Sequence, residues 1–154
     1  MDKDRYEIGI EKFKEIEGEN VEQIIGRLEE LDPDLARYVI EFPFGDVYNR
    51  KGLDLRSREI ATVAALTALG NAIQQLKVHI NGALNVGVSR EEIIEIIIQM
   101  AVYAGFPAAL NAMKAAKEVF KELDEKEQTE EKVERTDYKS NEGFPHSIKE
   151  NGKP

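Results

Sequence analysis

Cysteine is absent from this chain of 154 residues. That absence excludes disulfides, thiolate nucleophiles, redox dithiols and Cys-ligated zinc. Tryptophan is absent too, and histidine occurs only at His79 and His146. Two histidines so far apart give no pair of ligands at the three- or four-residue spacing that a helix-borne metal site needs, so no metal is expected. There is no glycine-rich phosphate loop, and no serine near a histidine that suggests a triad. Long apolar runs are missing: the most apolar window, Ile93–Val102, is broken by Glu95 and Gln99 and is too short to span a bilayer. The opening MDKDRYEIGIEKF has no continuous apolar run, so a signal peptide is not expected and the expected location is the cytoplasm.

Positive charge is scarce. Lys and Arg number 21 against 30 Asp and Glu, a net charge of −9. A chain this acidic repels phosphate backbones and anionic lipid, so neither nucleic acid nor a membrane surface is an expected partner. An anionic substrate would need local Lys or Arg to overcome that field.

What is present is helical periodicity. Tyr6, Ile10, Phe13 and Ile16 fall three to four apart, and Gly18 ends their helix. Asn20, with Gln23 three residues on, is the expected cap of a helix burying Val21, Ile24, Ile25 and Leu28. Asp32-Pro33 starts a third helix, carrying Leu35, Tyr38, Val39 and Phe42. The stretch from Pro43 to Lys51 reads as loop or as a short helix. Three helices then follow over Ser57–Leu69, Ala72–Val86 and Ser89–Ala104, with Asp54 or Ser57 capping the first. Ser89 and Glu92 form a capping box for the third, and isoleucines at 93, 94, 96, 97 and 98 cover nearly its whole circumference. That helix is expected either to be central or to face a partner, which points to a homo-oligomer. Pro107 opens a last helix with Leu110, Met113, Ala116 and Phe120. The expected fold is all-α, a bundle of six or seven helices. Residues 1–123 form one domain, and the polar segment 124–154 is a flexible tail unless Phe144 and Ile148 dock it.

The candidate chemistry centres on His79, inside a helix among Leu76, Ile80 and Ala83. It reads either as a packing histidine or as a proton donor and acceptor in a pocket. Glu59, in the first turns of its helix, either complements the helix dipole or orients His79. Arg56, Arg58 and Lys77 are the nearby basic residues for substrate carboxylates, or else solvated surface charges. Tyr103, in the YAGFP junction between helices, either places a hydroxyl in a cleft or packs.

Three motifs in order, REIATVAAL from Arg58, LKVHINGALNVGVSREEI from Leu76 and YAGFPAALNA from Tyr103, resemble the carboxymuconolactone decarboxylase family, with an alkylhydroperoxidase D-like fold, over roughly residues 30–122. The resemblance implies an all-helical fold that assembles as trimers or hexamers, with sites between helices. The thiol branch of that family carries Cys-x-x-Cys-x-x-x-His on the helix matching Ala72–Val86. Its two thiol positions fall here on Ala72 and Gln75 and its histidine on His79, so thiol peroxidase chemistry is excluded. The family's glutamate at the start of the preceding helix matches Glu59. What the resemblance then implies is a cofactor-free carboxy-lyase that converts a small carboxylated lactone to an enol-lactone, and the expected roles are His79 delivering a proton and Glu59 orienting it or sharing the proton. Two other readings stand beside it: an enzyme of the same scaffold using His/Glu acid–base chemistry on another small molecule, and a non-catalytic oligomeric binding protein.

Overall fold

The computed structural model describes residues 4–141, and every regular element among them is helical. Helix α1 (Arg5–Glu17) is capped by Asp4, whose carboxylate accepts from the Glu7 amide, and Gly18 ends it at φ 58°. A 3-10 turn (Gly18–Asn20) leads into α2 (Val21–Leu31). Asn20 is itself helical and makes no side-chain cap bond, so the capping role expected of it is not realised. The reason is the preceding 3-10 turn, which carries the chain into α2 without the extended residue that a cap requires. Asp32 does cap α3 (Pro33–Val39), accepting from the Leu35 amide at 2.8 Å with proline in the first turn.

The ambiguous stretch is neither loop nor ordinary helix. Ile40–Tyr48 is a π-helical segment with Pro43 inside it. The missing proline N–H and the wider π turn fit together, because the normal i to i−4 bond cannot form there. This segment packs along α1. Two glycines allow the approach: a Cβ on Gly9 would collide with the Ile40 carbonyl, and one on Gly45 with the Arg5 carbonyl. Phe13, Ile16, Val21, Ile40 and Phe44 form the core between them, with the Phe13 and Phe44 rings 4.6 Å apart.

Helix α4 (Leu55–Leu69) is capped by Asp54 rather than Ser57, the carboxylate accepting from the Ser57 amide at 2.7 Å. Its buried row is Glu59, Val63 and Thr67, one every fourth residue, while Ala61, Ala65 and Ala68 are exposed. Gly70 ends α4 in the left-handed conformation, and α5 (Ile73–Asn85) returns beside it. The Ser89–Glu92 capping box opens α6 (Arg90–Ala104), which also packs on α4. Ile93 and Ile97 are buried but Ile98 is half exposed, so α6 gives one side to the core and leaves the other open.

Helix α7 (Phe106–Asn141) passes Leu123 without a break, where the sequence suggested that the helical domain stops. No Gly or Pro interrupts residues 108–141, and Lys121–Glu125 and Lys126–Glu130 pair one turn apart. The chain divides into two compact units, Met1–Val119 and Phe120–Pro154. Phe144, His146 and Ile148 lie outside the described residues. No helix among the described residues is long and apolar enough to cross a membrane.

Candidate active site

Three buried or half-buried ionisable groups converge from three helices. Glu59 comes from the second turn of α4 and is fully buried. His79 comes from the middle of α5, and its Nδ1 lies 2.9 Å from Glu59 Oε2. A carboxylate accepts, so Nδ1 is the donor of this bond and Nε2 is left for exchange with a bound molecule. Glu59 is completely buried beside this imidazole, whereas a surface carboxylate would suffice to complement the helix dipole. Its neighbourhood includes Tyr48, whose phenol bonds Thr62 at 2.9 Å and is pushed up to about 12, chiefly by burial.

The third group is Glu17, the last residue of α1, 2% exposed. Burial pushes its carboxyl up to about 7; the charge of Glu59 adds to the rise and that of His79 opposes it. Oxygen Oε1 of Glu17 and Oε1 of Glu59 are both buried without a hydrogen-bond partner. Gly82, one turn beyond His79, makes room for the pair. A Cβ there would stand 3.4 Å from Glu17 Oε1, 3.4 Å from Glu59 Oε2 and 2.7 Å from Ile16 Cγ2. The two oxygens are therefore separated by no more than twice 3.4 Å.

His79 and Glu17 line a cavity of about 320 Å³, while Glu59 stands behind His79 and does not reach its wall. Phe13, Ile24, Leu28, Val39, Phe44 and Val78 make most of the lining. Arg27, Gln74 and Gln75 supply the polar remainder. Apolar walls with a few convergent polar groups are the usual form of a small-molecule site. Gln75, where the thiol branch has its second cysteine, thus shares the cavity with His79. Among the described residues no group of three or more His, Cys, Asp or Glu is arranged to hold a metal ion.

The other expected substrate-binding residues are elsewhere. Arg56 pairs with Glu92 and donates to the Gly87 carbonyl, and it borders a separate, wider cleft of about 890 Å³ that none of Glu17, Glu59 and His79 lines. Arg58 donates to the carbonyls of Arg50 and Leu53 and lies over the Tyr48 ring. Lys77 is bound to Glu118 at 2.6 Å. Tyr103 is 77% exposed. The reason is helical geometry. Lys77 is two residues from His79 and so points away from it, and Arg56 is drawn to the start of α6. Arg27 is the basic residue that the sequence order hid.

Residues 33–118 match the Carboxymuconolactone decarboxylase family. The chain is 37% identical over 123 residues to a 4-carboxymuconolactone decarboxylase of Acinetobacter baylyi, covering 79% of this chain and 91% of that protein. It is 36% identical over 99 residues to an uncharacterised 15.0 kDa protein of Paracoccus denitrificans, covering 64% and 74%. It is 32% identical over 88 residues to a nitrosuccinic acid decarboxylase of Metarhizium robertsii, covering 57% and 61%.

Proposed function

The chain belongs to the carboxymuconolactone decarboxylase family, and from that premise we propose that it decarboxylates a small carboxylated lactone to an enol-lactone without a cofactor. The observation that supports this best is His79 at the wall of a largely apolar cavity, bonded from behind by the buried Glu59. Loss of carbon dioxide breaks one carbon–carbon bond and leaves its electron pair in the conjugated lactone, as a dienolate. The reaction then needs a proton on carbon and a stabilised oxygen, and neither a nucleophile nor a metal. His79 delivers the proton from Nε2, and Glu59 holds the ring in position through Nδ1.

Arg27 takes the place of Arg56, Arg58 and Lys77 as the group that receives the substrate carboxylate, assisted by the amides of Gln74 and Gln75. Arg27→Ala is expected to raise KM about tenfold with a smaller effect on kcat, because a carboxylate contact at the rim acts on binding more than on bond breaking. Steady-state kinetics with the carboxylated lactone check this. An unchanged KM would return the carboxylate contact to another residue.

Nitro acids are a second substrate class, favoured by the likeness to a nitrosuccinic acid decarboxylase. A carbanion beside a nitro group also passes its electron pair to oxygen, so the same two requirements apply. Carbon dioxide release from both acids, measured side by side, tests the two classes. A non-catalytic scaffold is disfavoured because His79 lines a cavity and is bonded to Glu59 behind it, instead of the two pointing into separate surfaces.

We further propose a homo-oligomer, trimer or hexamer, built on the open side of α6 and the start of α7. Ile98, Val102, Tyr103, Phe106 and Leu110 are exposed there. Ile98 and Val102 stand four apart on α6 and Phe106 and Leu110 four apart on α7, and exposed apolar side chains grouped in this way mark a contact surface. This is where Tyr103 finds its use. Light scattering at micromolar concentration is expected to give a mass of three or six chains of 17.4 kDa. A monomer would remove the proposal.

A further inference from the structure

The decarboxylase reading leaves one requirement without a residue: something must stabilise the oxygen that gains charge as carbon dioxide leaves. His79 is engaged in proton delivery and Glu59 stands behind it, out of reach of the cavity. Among the described residues, Glu17 is the one ionisable group that is both buried and part of the cavity wall. Its Oε1 has no hydrogen-bond partner, although buried polar atoms nearly always find one.

We propose that Glu17 is a catalytic residue of this site, a neutral carboxylic acid whose O–H donates to the enolate or nitronate oxygen formed on decarboxylation. The inference rests on the decarboxylase reading and adds to it the oxyanion donor.

The surroundings of Glu17 decide its charge. Glu59 of α4 repels a second negative charge across Gly82. His79 of α5 opposes that effect but is already bonded to Glu59. Arg27 of α2 lines the same cavity but is solvent-exposed, Lys14 one turn back on α1 is exposed, and Tyr48 of the π-helical segment is held neutral by burial. Two buried carboxyl groups beside one histidine cannot both ionise cheaply. The geometry therefore favours one proton on Glu17, and its carboxyl is pushed up to about 7, chiefly by burial. A neutral acid also removes a charge that would repel an incoming carboxylate. Ketosteroid isomerase keeps a carboxylic acid protonated in an apolar site to serve its oxyanion hole, by the same physics.

The step balances without a further reactant. The bond between the carboxylate carbon and its neighbour breaks, and carbon dioxide leaves. The electron pair moves to the substrate oxygen, where the Glu17 O–H stabilises it. The pair then returns to carbon, which takes the Nε2 proton of His79 in its imidazolium form, and the neutral imidazole left behind, still donating from Nδ1 to Glu59, recovers a proton from solvent. Glu17 ends with the proton it began with.

Two variants and one spectrum test this. Glu17→Leu removes the donor and is expected to lower kcat about 100-fold, the usual cost of one oxyanion donor. Glu17→Gln keeps an N–H donor and is expected to stay within about tenfold of wild type. In wild type kcat/KM should carry a falling limb near pH 7 that Glu17→Gln lacks. Independently of substrate, infrared difference spectra between about pH 6 and about pH 8 should show a protonated-carboxyl band that is lost at the higher pH and missing in Glu17→Gln. Wild-type activity with Glu17→Leu within about threefold of it, or no such band, would overturn the inference and leave the decarboxylase reading standing. A folded wild type that decarboxylates neither acid would overturn that reading, and the inference with it.

Discussion

His79→Ala is expected to lower kcat by about two orders of magnitude or more, with KM changed much less. Positioned general acid–base groups contribute about 10²- to 10⁴-fold, and His79 is the group proposed to carry the transferred proton. Its ring is half-buried, 22% exposed, so its removal opens the cavity without emptying the core. Glu59→Ala is expected to cost a comparable factor, because the 2.9 Å bond to Nδ1 fixes the tautomer and the ring plane. Groups that act as one unit are strongly non-additive, so the double variant should be no worse than about threefold below the poorer single one. Multiplying losses in the double variant would show that Glu59 and His79 work separately. Circular dichroism on each variant separates lost chemistry from lost fold.

The second large effect concerns stability. Glu17 is expected to make the folded chain less stable as pH rises from about 4.5 to about 7. Its ordinary value is 4.5 and burial pushes it up to about 7 in the folded chain. Between those values the unfolded chain has lost the proton and the folded chain still holds it. The unfolded state then binds fewer protons, so the slope of stability with pH is negative in this window. Above about 7 both states are ionised and the full cost is present; below about 4.5 both are protonated and it vanishes. At about 1.4 kcal/mol per pH unit, the loss across the window is about 3 kcal/mol. Glu17→Gln has no proton to lose. Urea unfolding of both proteins at a series of pH values should therefore give curves that agree in shape outside the window and diverge by about that amount across it. Parallel curves would mean that Glu17 is ionised in the folded chain at neutral pH. The buried acid thus costs stability, which is the usual signature of a functional rather than a packing residue.

How far the sequence led, and where it stopped, follows from the same geometry. Caps and breakers were legible where their chemistry is local: Asp32, Ser89 with Glu92, and Gly18 stand where helices begin and end. His79 and Glu59 were legible through their motifs, and they meet. Glu17 was missed although a signal existed. It stands four residues after Phe13 on the stripe of α1 that is otherwise apolar, and a charge in that position asks for a reason. Arg56, Arg58 and Lys77 are near His79 and Glu59 along the chain, but nearness along a helix is not nearness in space, and none of the three lines the His79 cavity. Arg27 is 52 residues from His79 in sequence, and only the packing of α2 brings it to the cavity. The π-helical segment had no periodicity to read, because Pro43 and a five-residue repeat give neither a helical nor a strand pattern.

Turnover of 4-carboxymuconolactone in deuterated water, with carbon dioxide release and carbon-bound deuterium followed together, puts proton delivery by His79 to the test. One deuterium on carbon is expected for each carbon dioxide released, at a rate that falls about 100-fold or more in His79→Ala. Folded protein that releases no carbon dioxide, or a His79→Ala variant that deuterates the product at the wild-type rate, would contradict it.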